Sequence, residues 1–169
     1  TEIYTLSLHD ALPIYTVQAY QKWIGDCVRD NLPLDRMARR MLTSSGSNFR
    51  VPEVNFLRAV QGRGTQPLAA AVTLTLMGSR IEKWPADRRA GMEALFSRIA
   101  YKPTAEWKEE IVCLDPAPAG PLEAVLPDGR KIKVAPGEDP RAVFADWLLA
   151  PGNRWFARPA VNRHWAWIF

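Results

Sequence analysis

Apolar residues recur at three- and four-residue steps along much of the chain, which is the spacing of one buried helical face. Such segments run over Val17 to Asn31, Pro33 to Leu42, Pro67 to Met77 and Asp87 to Ile99. The residues predicted to face inward are Val17, Tyr20, Ile24, Cys27, Val28, Leu34, Met37, Ala38, Met41, Leu42, Met92, Leu95, Phe96 and Ile99. The stretch Thr43 to Pro52 is rich in turn formers and is predicted to be a loop.

The periodicity changes between Ile111 and Val134, where short β-favouring runs read IVCL, EAVL and KIKV. Pro127, Asp128, Gly129 and Arg130 separate the last two runs. Asp-Gly at such a junction tolerates positive φ at both turn positions, so the sequence predicts a β-hairpin there.

Two further helices are predicted near the end of the sequence. Asp139 and Pro140 are typical of an N-cap and a first helical residue, and Asn153 is a second candidate cap. The predicted inward-facing residues of the two helices are Val143, Phe144, Trp147, Leu148, Phe156, Ala160, Val161 and Trp165. Pro159 is expected to kink or divide the last helix, because proline removes a backbone donor. The fold class predicted is mainly α with a small antiparallel β-hairpin or meander.

The first fourteen residues, TEIYTLSLHDALPI, resemble a translated sequencing adapter, since every codon fits that adapter in one unbroken frame. We therefore expect the natural protein to begin near Tyr15, already inside a gene. The apolar pattern is still running at Phe169 without a Gly, Asn or Pro stop signal. We thus expect the chain to be a truncated fragment of a longer protein.

The charge and composition of the chain bear on whether it binds nucleic acid or spans a membrane. The chain has 22 basic and 18 acidic residues, a net charge of +4. The adapter-like segment holds two acidic and no basic residues, so the remainder carries +6. The excess charge, with the arginines between Arg36 and Arg40, could attract nucleic acid, but acidic residues are interspersed and no nucleic-acid motif is present. We predict no nucleic-acid partner, and no apolar run is long enough for a membrane span.

Few residues are suited to redox or metal chemistry. Cys27 and Cys113 could form one disulfide, but their spacing matches no metal or redox motif, and buried unpaired thiols are favoured. His9 lies in the adapter-like segment, which leaves His164 as the other histidine of the sequence. We predict no metal site and no catalytic residue.

A polar group near the end of the sequence is the best candidate site. The predicted ligand-binding residues are Asn153, Arg158, Asn162 and Arg163, beside His164. Two guanidiniums and two amides could bind a carboxylate, a phosphate or a sugar, and Arg158 and Asn162 are one helical turn apart. The alternative, which we favour, is that these groups satisfy buried backbone ends and join two domains.

Two other features have both functional and structural interpretations. The segment from Thr104 to Glu110 holds three carboxylates, but the adjacent Glu109 and Glu110 must point in different directions, so we favour a solvated charged face with a Thr104 cap. The seven tryptophans could stack on sugars, yet packing is favoured, especially for Trp23, Trp107, Trp147 and Trp165. Trp84 and Trp155, beside turns, are the better surface candidates.

Longer motifs resemble a known family. The segments YQKWIGDCVRDNLPLDRMARRML, NFLRA and EKWPADRRAGMEALFSRIAYKPTAEWKEEIVCLDP resemble the first of two adjoining domains of unknown function in planctomycete cytochrome-c-like proteins. LPDGRKIKV and DPRAVFADWLLAPGNRWFARPAVNRHWAWIF are similar to the start of the second domain. The resemblance implies a helical end of the first domain over 15–115, a hairpin linker over 116–138 and a helical start of the second domain over 139–169, after the adapter-like 1–14.

The resemblance implies a large exported protein, periplasmic or at the cell surface, with a cytochrome-c-like module upstream. Where many members carry Cys-x-x-Cys-His, this chain reads Ile81 to Pro85, IEKWP, so it has no haem attachment site and we predict no cofactor in it. Haem would belong to a missing upstream module. The leading hypothesis is a noncatalytic binding or assembly region, with other domains of the same protein and a carbohydrate or anionic ligand as partners. The alternative is part of an enzyme acting on polysaccharide or another surface substrate, with Arg158, Asn162 and Arg163 contributing to its site.

Overall fold

A computed structural model describes residues 8–60, 62, 64–117 and 120–169, with side chains from Thr16 onward. The helices are α1 (Leu8–Arg29), α2 (Leu34–Thr43), α3 (Asn55–Arg58), α4 (Thr65–Met77), α5 (Ala86–Leu95), α6 (Pro140–Leu148) and α7 (Arg154–Ile168). The strands are β1 (Gly46–Ser47), β2 (Ile99–Pro103), β3 (Glu110–Leu114), β4 (Leu122–Val125) and β5 (Lys131–Val134). The predicted mainly α fold with small antiparallel β structure is confirmed.

The described helices include none that combines the length and apolar character needed to cross a membrane. The chain folds as two compact units, which are Thr1–Ala59 with Ala100–Cys113, called unit 1, and Val60–Ile99 with Leu114–Phe169, called unit 2. Residues 1–7 and the side chains up to Tyr15 lie outside the described part, so the adapter-like origin of 1–14 stays a prediction. The proposed family-domain boundaries also stay a prediction.

In unit 1, α1 buries the predicted stripe only in part, with Cys27 buried and Tyr20 and Ile24 half-buried. Trp23 and Cys27 are buried, whereas Val17 and Val28 are 56% and 72% exposed. Their predicted burial is wrong, because each lies five or six positions from Trp23 and therefore on another side of the helix. The indole, which has the larger apolar area, determines which side faces the core.

Helix α2 buries Ala38, Met41 and Leu42 as predicted, while Leu34 is exposed. The segment after it is more ordered than the predicted loop, because β1 lies within it and pairs antiparallel with β3, Gly46 opposite Val112. The strand order of this sheet is β1-β3-β2.

Unit 2 contains α4 and α5, the β4–β5 hairpin and the last two helices. The helix predicted at α4 is confirmed. Helix α5 ends at Leu95, so the prediction that it reaches Ile99 is wrong. Ile99 is instead the first residue of β2. The predicted hairpin is confirmed, with Leu122 opposite Val134 and a turn in which Gly129 has a φ of 92°. Helix α5 packs on β4, where Gly91 lies against the Val125 backbone.

The caps predicted for the last two helices are confirmed. Asp139 accepts a hydrogen bond from the Arg141 N–H at 2.9 Å, and Phe144, Trp147 and Leu148 are buried as predicted. Helix α7 continues through Pro159, so of the predicted kink or division the division is wrong. Proline removes only one hydrogen bond from a helix of 15 residues, and the remaining ladder continues.

The predicted buried side of α7 is also wrong. Val161 and Trp165 are 64% and 63% exposed, whereas Phe156 and Ala160 are half-buried. The side that contacts α4 instead carries Pro159, next to Gly78, and Arg163, which binds carbonyls of Leu74 and Thr75. A basic residue thus forms part of the side that contacts α4, which an apolar pattern alone does not predict.

Candidate functional site

A cleft of about 930 Å³, called cleft A, lies along α7 in unit 2. Arg154, Arg158, Asn162 and Ala166 line it at four-residue intervals, so they form one row on the helix. A neighbouring row of Trp155, Pro159 and Arg163 also borders it. The other walls are the end of α4 with Gly78, Arg88 of α5 and Asp128 of the hairpin turn.

Arg163 holds α7 against the end of α4. Its guanidinium donates to the carbonyl oxygens of Thr75 at 2.7 Å and of Leu74 at 2.8 Å. The last four carbonyls of a helix have no partner within it, so a cation that binds them caps the helix. Arg163 therefore has the backbone role that we favoured for the polar group.

Asn153 has a similar role between α6 and α7. Its side-chain oxygen accepts from the Trp155 N–H at 2.9 Å, and its amide donates to the Trp147 carbonyl at 2.6 Å. One side chain thus caps the start of α7 and satisfies the end of α6. Asn153 does not line cleft A.

Arg158 and Asn162 are exposed, and the structure brings them together on one row as the helical spacing predicts. The described part of the chain offers no hydrogen-bond partner to the side chains of Arg154, Arg158 or Asn162. Their donors are therefore available to a ligand. Arg154 was missed from the sequence, although it lies one turn before Arg158.

The charge of cleft A is positive, with four arginines against one carboxylate. Arg88 donates to the Pro127 carbonyl at 3.0 Å. Asp128 accepts from Arg130 Nε at 2.8 Å and from the Trp147 indole N–H at 2.9 Å. Partial burial raises the pKa of Asp128, but hydrogen bonds from the Arg130 backbone and side chain and from Trp147 outweigh it, so the pKa lies below its ordinary value. Asp128 is thus an ionised carboxylate already bound by neighbours.

A fixed indole borders the same cleft. The Trp155 and Trp84 rings meet edge to face, with centroids 5.8 Å apart and planes at 63°. The Trp84 N–H donates to Ser79 Oγ at 2.8 Å, which fixes the second ring in turn. Both tryptophans are half-buried, while Trp23 and Trp147 are buried as predicted.

Two tryptophans depart from the packing interpretation. Trp165 is 63% exposed and Trp107 is 36% exposed. The Trp107 ring instead lies under the ammonium of Lys108, whose Nζ is 4.1 Å from the ring centroid. Neither residue lines cleft A.

A second cleft of about 640 Å³, called cleft B, adjoins the hairpin and the α6–α7 connection. Asn153, Asp128, Arg154 and Trp155 line it, and the last three also line cleft A. The participation of Arg88 and Asp128 could not be found from the sequence, because only the tertiary fold brings α5 and the hairpin turn to α7.

The acidic segment of unit 1 is only partly a solvated face. Glu106 is exposed and its N–H donates to Thr104 Oγ1 at 3.1 Å, as the predicted cap requires, but the interpretation is wrong for Glu109 and Glu110. Glu109 is only 9% exposed and accepts hydrogen bonds from the hydroxyls of Ser47 and Thr104. These hydroxyls lower the pKa of Glu109 below its ordinary value. Glu110 pairs with Arg58, whose Nε lies 2.9 Å from its carboxylate. Both carboxylates therefore hold unit 1 together rather than forming a catalytic pair.

The two cysteines and His164 have structural surroundings rather than those of a metal site in the described part of the chain. Cys27 and Cys113 are unpaired thiols, and burial raises the pKa of Cys27. The His164 ring lies 2.7 Å from the Ala160 carbonyl, one turn earlier in α7. Among the side chains that the structure describes, no group of three or more His, Cys, Asp or Glu residues could hold a metal ion.

Comparisons of the chain with protein-family models, with curated proteins and with solved structures gave no match. The family resemblance therefore rests on the sequence motifs alone.

Proposed function

We propose that this chain is a noncatalytic binding region of a large exported multidomain protein of the planctomycete cytochrome-c-like type, and that cleft A binds an acidic saccharide. The observation that supports binding most directly is the row of Arg154, Arg158 and Asn162, whose side chains have no hydrogen-bond partner in the described chain. The exported setting and the other domains as partners rest on the resemblance of the motifs.

The composition of the cleft suits an acidic sugar. Guanidinium groups bind carboxylates through paired hydrogen bonds, and the amide of Asn162 can both donate to and accept from a sugar hydroxyl. The indole of Trp155 offers an apolar face beside these polar groups. The volume of about 930 Å³ is within the range of roughly 300–1,000 Å³ typical of small-molecule sites.

The noncatalytic part of the proposal is supported by the state of Asp128. Glycoside hydrolysis generally requires two carboxylates in different environments, one of which holds a proton. Among the described residues that line cleft A, Asp128 is the one carboxylate, and its lowered pKa keeps it ionised. An enzyme acting on polysaccharide would need an acid that these lining residues do not provide.

Isothermal titration calorimetry with digalacturonate tests the proposal, with neutral galactobiose as the comparison ligand. Arg158→Ala should weaken digalacturonate binding by about tenfold or more, because hydrogen bonds to charged groups contribute roughly 1.5–3 kcal/mol and 1.4 kcal/mol is tenfold. Added salt should weaken it further. Galactobiose should bind much less tightly than digalacturonate.

The matched control is Arg80→Ala, which removes an exposed arginine of unit 2 that lines neither cleft. It should leave the dissociation constant within about twofold of the original protein, well inside one tenfold step of 1.4 kcal/mol. Equal affinity of the Arg158→Ala and Arg80→Ala variants, or no heat of binding with the unchanged protein, would contradict the proposal.

A further inference from the structure

Clefts A and B meet at the start of α7. Asp128, Arg154 and Trp155 line both, so the second cleft begins where the first ends. Each cleft has the volume of a complete small-molecule site, about 930 Å³ and about 640 Å³. A ligand the size of one or two sugar rings can fill only one of them.

The junction is held rigidly from both sides. Asn153 ties the start of α7 to the end of α6, and the Trp84 ring supports the Trp155 ring. Asp128 is fixed at the hairpin tip by its hydrogen bond from the Trp147 indole, 2.9 Å long. Since a binding surface built from fixed side chains loses little entropy when a ligand binds, the two clefts are suited to act together.

The two clefts differ in chemistry in a complementary way. Cleft A has four arginines, whereas cleft B is lined largely by apolar side chains, among them Ile132, Val143 and Trp147, beside Asp128, Arg130 and Arg154. An acidic oligosaccharide offers both features along its length, namely carboxylates and the apolar C–H faces of its rings. Aromatic and aliphatic walls bind such faces, and guanidiniums bind the carboxylates.

We infer that clefts A and B form one extended site for an acidic oligosaccharide whose rings carry carboxylates, with Arg154 and Trp155 contacting the middle of the bound segment. This inference rests on the proposed function of cleft A and extends it from a saccharide of one or two rings to a longer chain. The bound polymer would cross the start of α7 beside the hairpin tip.

Two exposed alanines allow each cleft to be blocked separately. Ala166 lines cleft A and Ala150 lines cleft B, so Ala166→Glu and Ala150→Glu each add bulk and negative charge to one cleft. The matched control is Ala90→Glu, at an exposed position of α5 that lines neither cleft. Far-UV circular dichroism should show the same helix content in all three variants.

The probes are digalacturonate and octagalacturonate, titrated calorimetrically at physiological ionic strength, where charges are screened beyond about 8 Å. Ala166→Glu should weaken the binding of both probes. Ala150→Glu should weaken octagalacturonate by about tenfold or more, because the gain from engaging a second linked site is lost, and leave digalacturonate within about twofold. Longer chains bind more tightly for statistical reasons alone, so the comparison between variants is decisive.

Two results would overturn the inference, and they differ from each other. If Ala150→Glu binds octagalacturonate like Ala90→Glu while Ala166→Glu weakens both probes, cleft A binds the sugar alone and only the extended site is wrong. If neither probe binds the unchanged protein, the proposed function itself is wrong and the extended site with it.

Discussion

Helix α5 and strand β4 approach so closely that position 91 has no room for a side chain. A Cβ built on Gly91 would lie 2.1 Å from the Val125 carbonyl oxygen, 2.5 Å from its nitrogen and 2.8 Å from its carbonyl carbon. These are backbone atoms of a paired strand, so they cannot rotate away as the end of a side chain can. Because Cβ contacts under 3.0 Å are essentially never seen, Gly91→Ala must move the helix and the hairpin apart by about 1 Å.

That separation affects the core of unit 2 around it. Met92, Leu95 and Ala124 are at most 5% exposed, and a gap of about 0.5–1 Å forfeits a quarter to a half of each dispersion contact. Overpacking typically costs about 1–3 kcal/mol, and we place this site higher, at roughly 3–5 kcal/mol, because the added Cβ meets backbone atoms that cannot rotate aside. Alanine gains about 1 kcal/mol over glycine in helix propensity. We expect Gly91→Ala to lower the free energy of unfolding of unit 2 by roughly 2–4 kcal/mol net of that gain.

Amide hydrogen exchange at increasing urea concentration measures this change, because it reports the stability of each unit separately. Two matched variants isolate the steric effect. Gly25→Ala in α1, where no atom lies within 4 Å of the added Cβ, should stabilise unit 1 by about 0.5–1 kcal/mol. Ala90→Gly, exposed and next to Gly91, should cost about 1 kcal/mol by propensity alone. A Gly91→Ala variant as stable as the original protein would refute the close packing of α5 on β4.

Three further changes test other contacts. The pKa of Glu109 is lowered in the folded protein, so its charge stabilises unit 1 at pH values above the ordinary carboxyl pKa, and this stabilisation is lost as the pH falls through the folded pKa. Glu109→Gln should therefore make the free energy of unfolding less dependent on pH in the acid range. An unchanged slope of stability against pH in an acid titration would contradict this. Asn153→Ala should cost unit 2 about 1–2 kcal/mol in urea unfolding, whereas Asn162→Ala, which removes no cap, should change it by less than about 0.5 kcal/mol. Arg154→Glu should raise the free energy of unfolding of unit 2 by roughly 0.5–1.5 kcal/mol at low salt, because it places an acid at the start of α7 and four residues before Arg158. The same variant should abolish digalacturonate binding in calorimetry.

The elements that could be predicted from the sequence are those whose signals are local. Asp139 with Pro140 predicted the start of α6, and Asp128 with Gly129 predicted the hairpin turn, because caps and turns depend on neighbouring residues. Local spacing also explains the site residues that the sequence predicted. Arg158 and Asn162 share a row simply because they are one turn apart on a helix.

The features that were missed depend on partners far away in the sequence. Strand β1 has only two residues and exists because β3 pairs with it. Glu109 is buried because Ser47, 62 residues earlier, donates to it, and nothing near Glu109 in the sequence signals this. Which side of α7 faces α4 depends on the carbonyls at the end of α4, to which Arg163 donates.

The charges of α7 are arranged against the stability of that helix. Acidic residues in the first turn of a helix and basic residues in its last stabilise it, but α7 has no acidic residue in its first turn and begins with Arg154. Arg154 and Arg158 also repel each other at a spacing of four residues, at a cost of about 0.2–0.5 kcal/mol. Within the described chain no carboxylate neutralises either guanidinium, whereas a carboxylate bound in cleft A would offset both effects. Acidic ligands should therefore stabilise α7 as they bind, and an Arg154→Glu variant less stable than the original protein would show instead that Arg154 has a structural role.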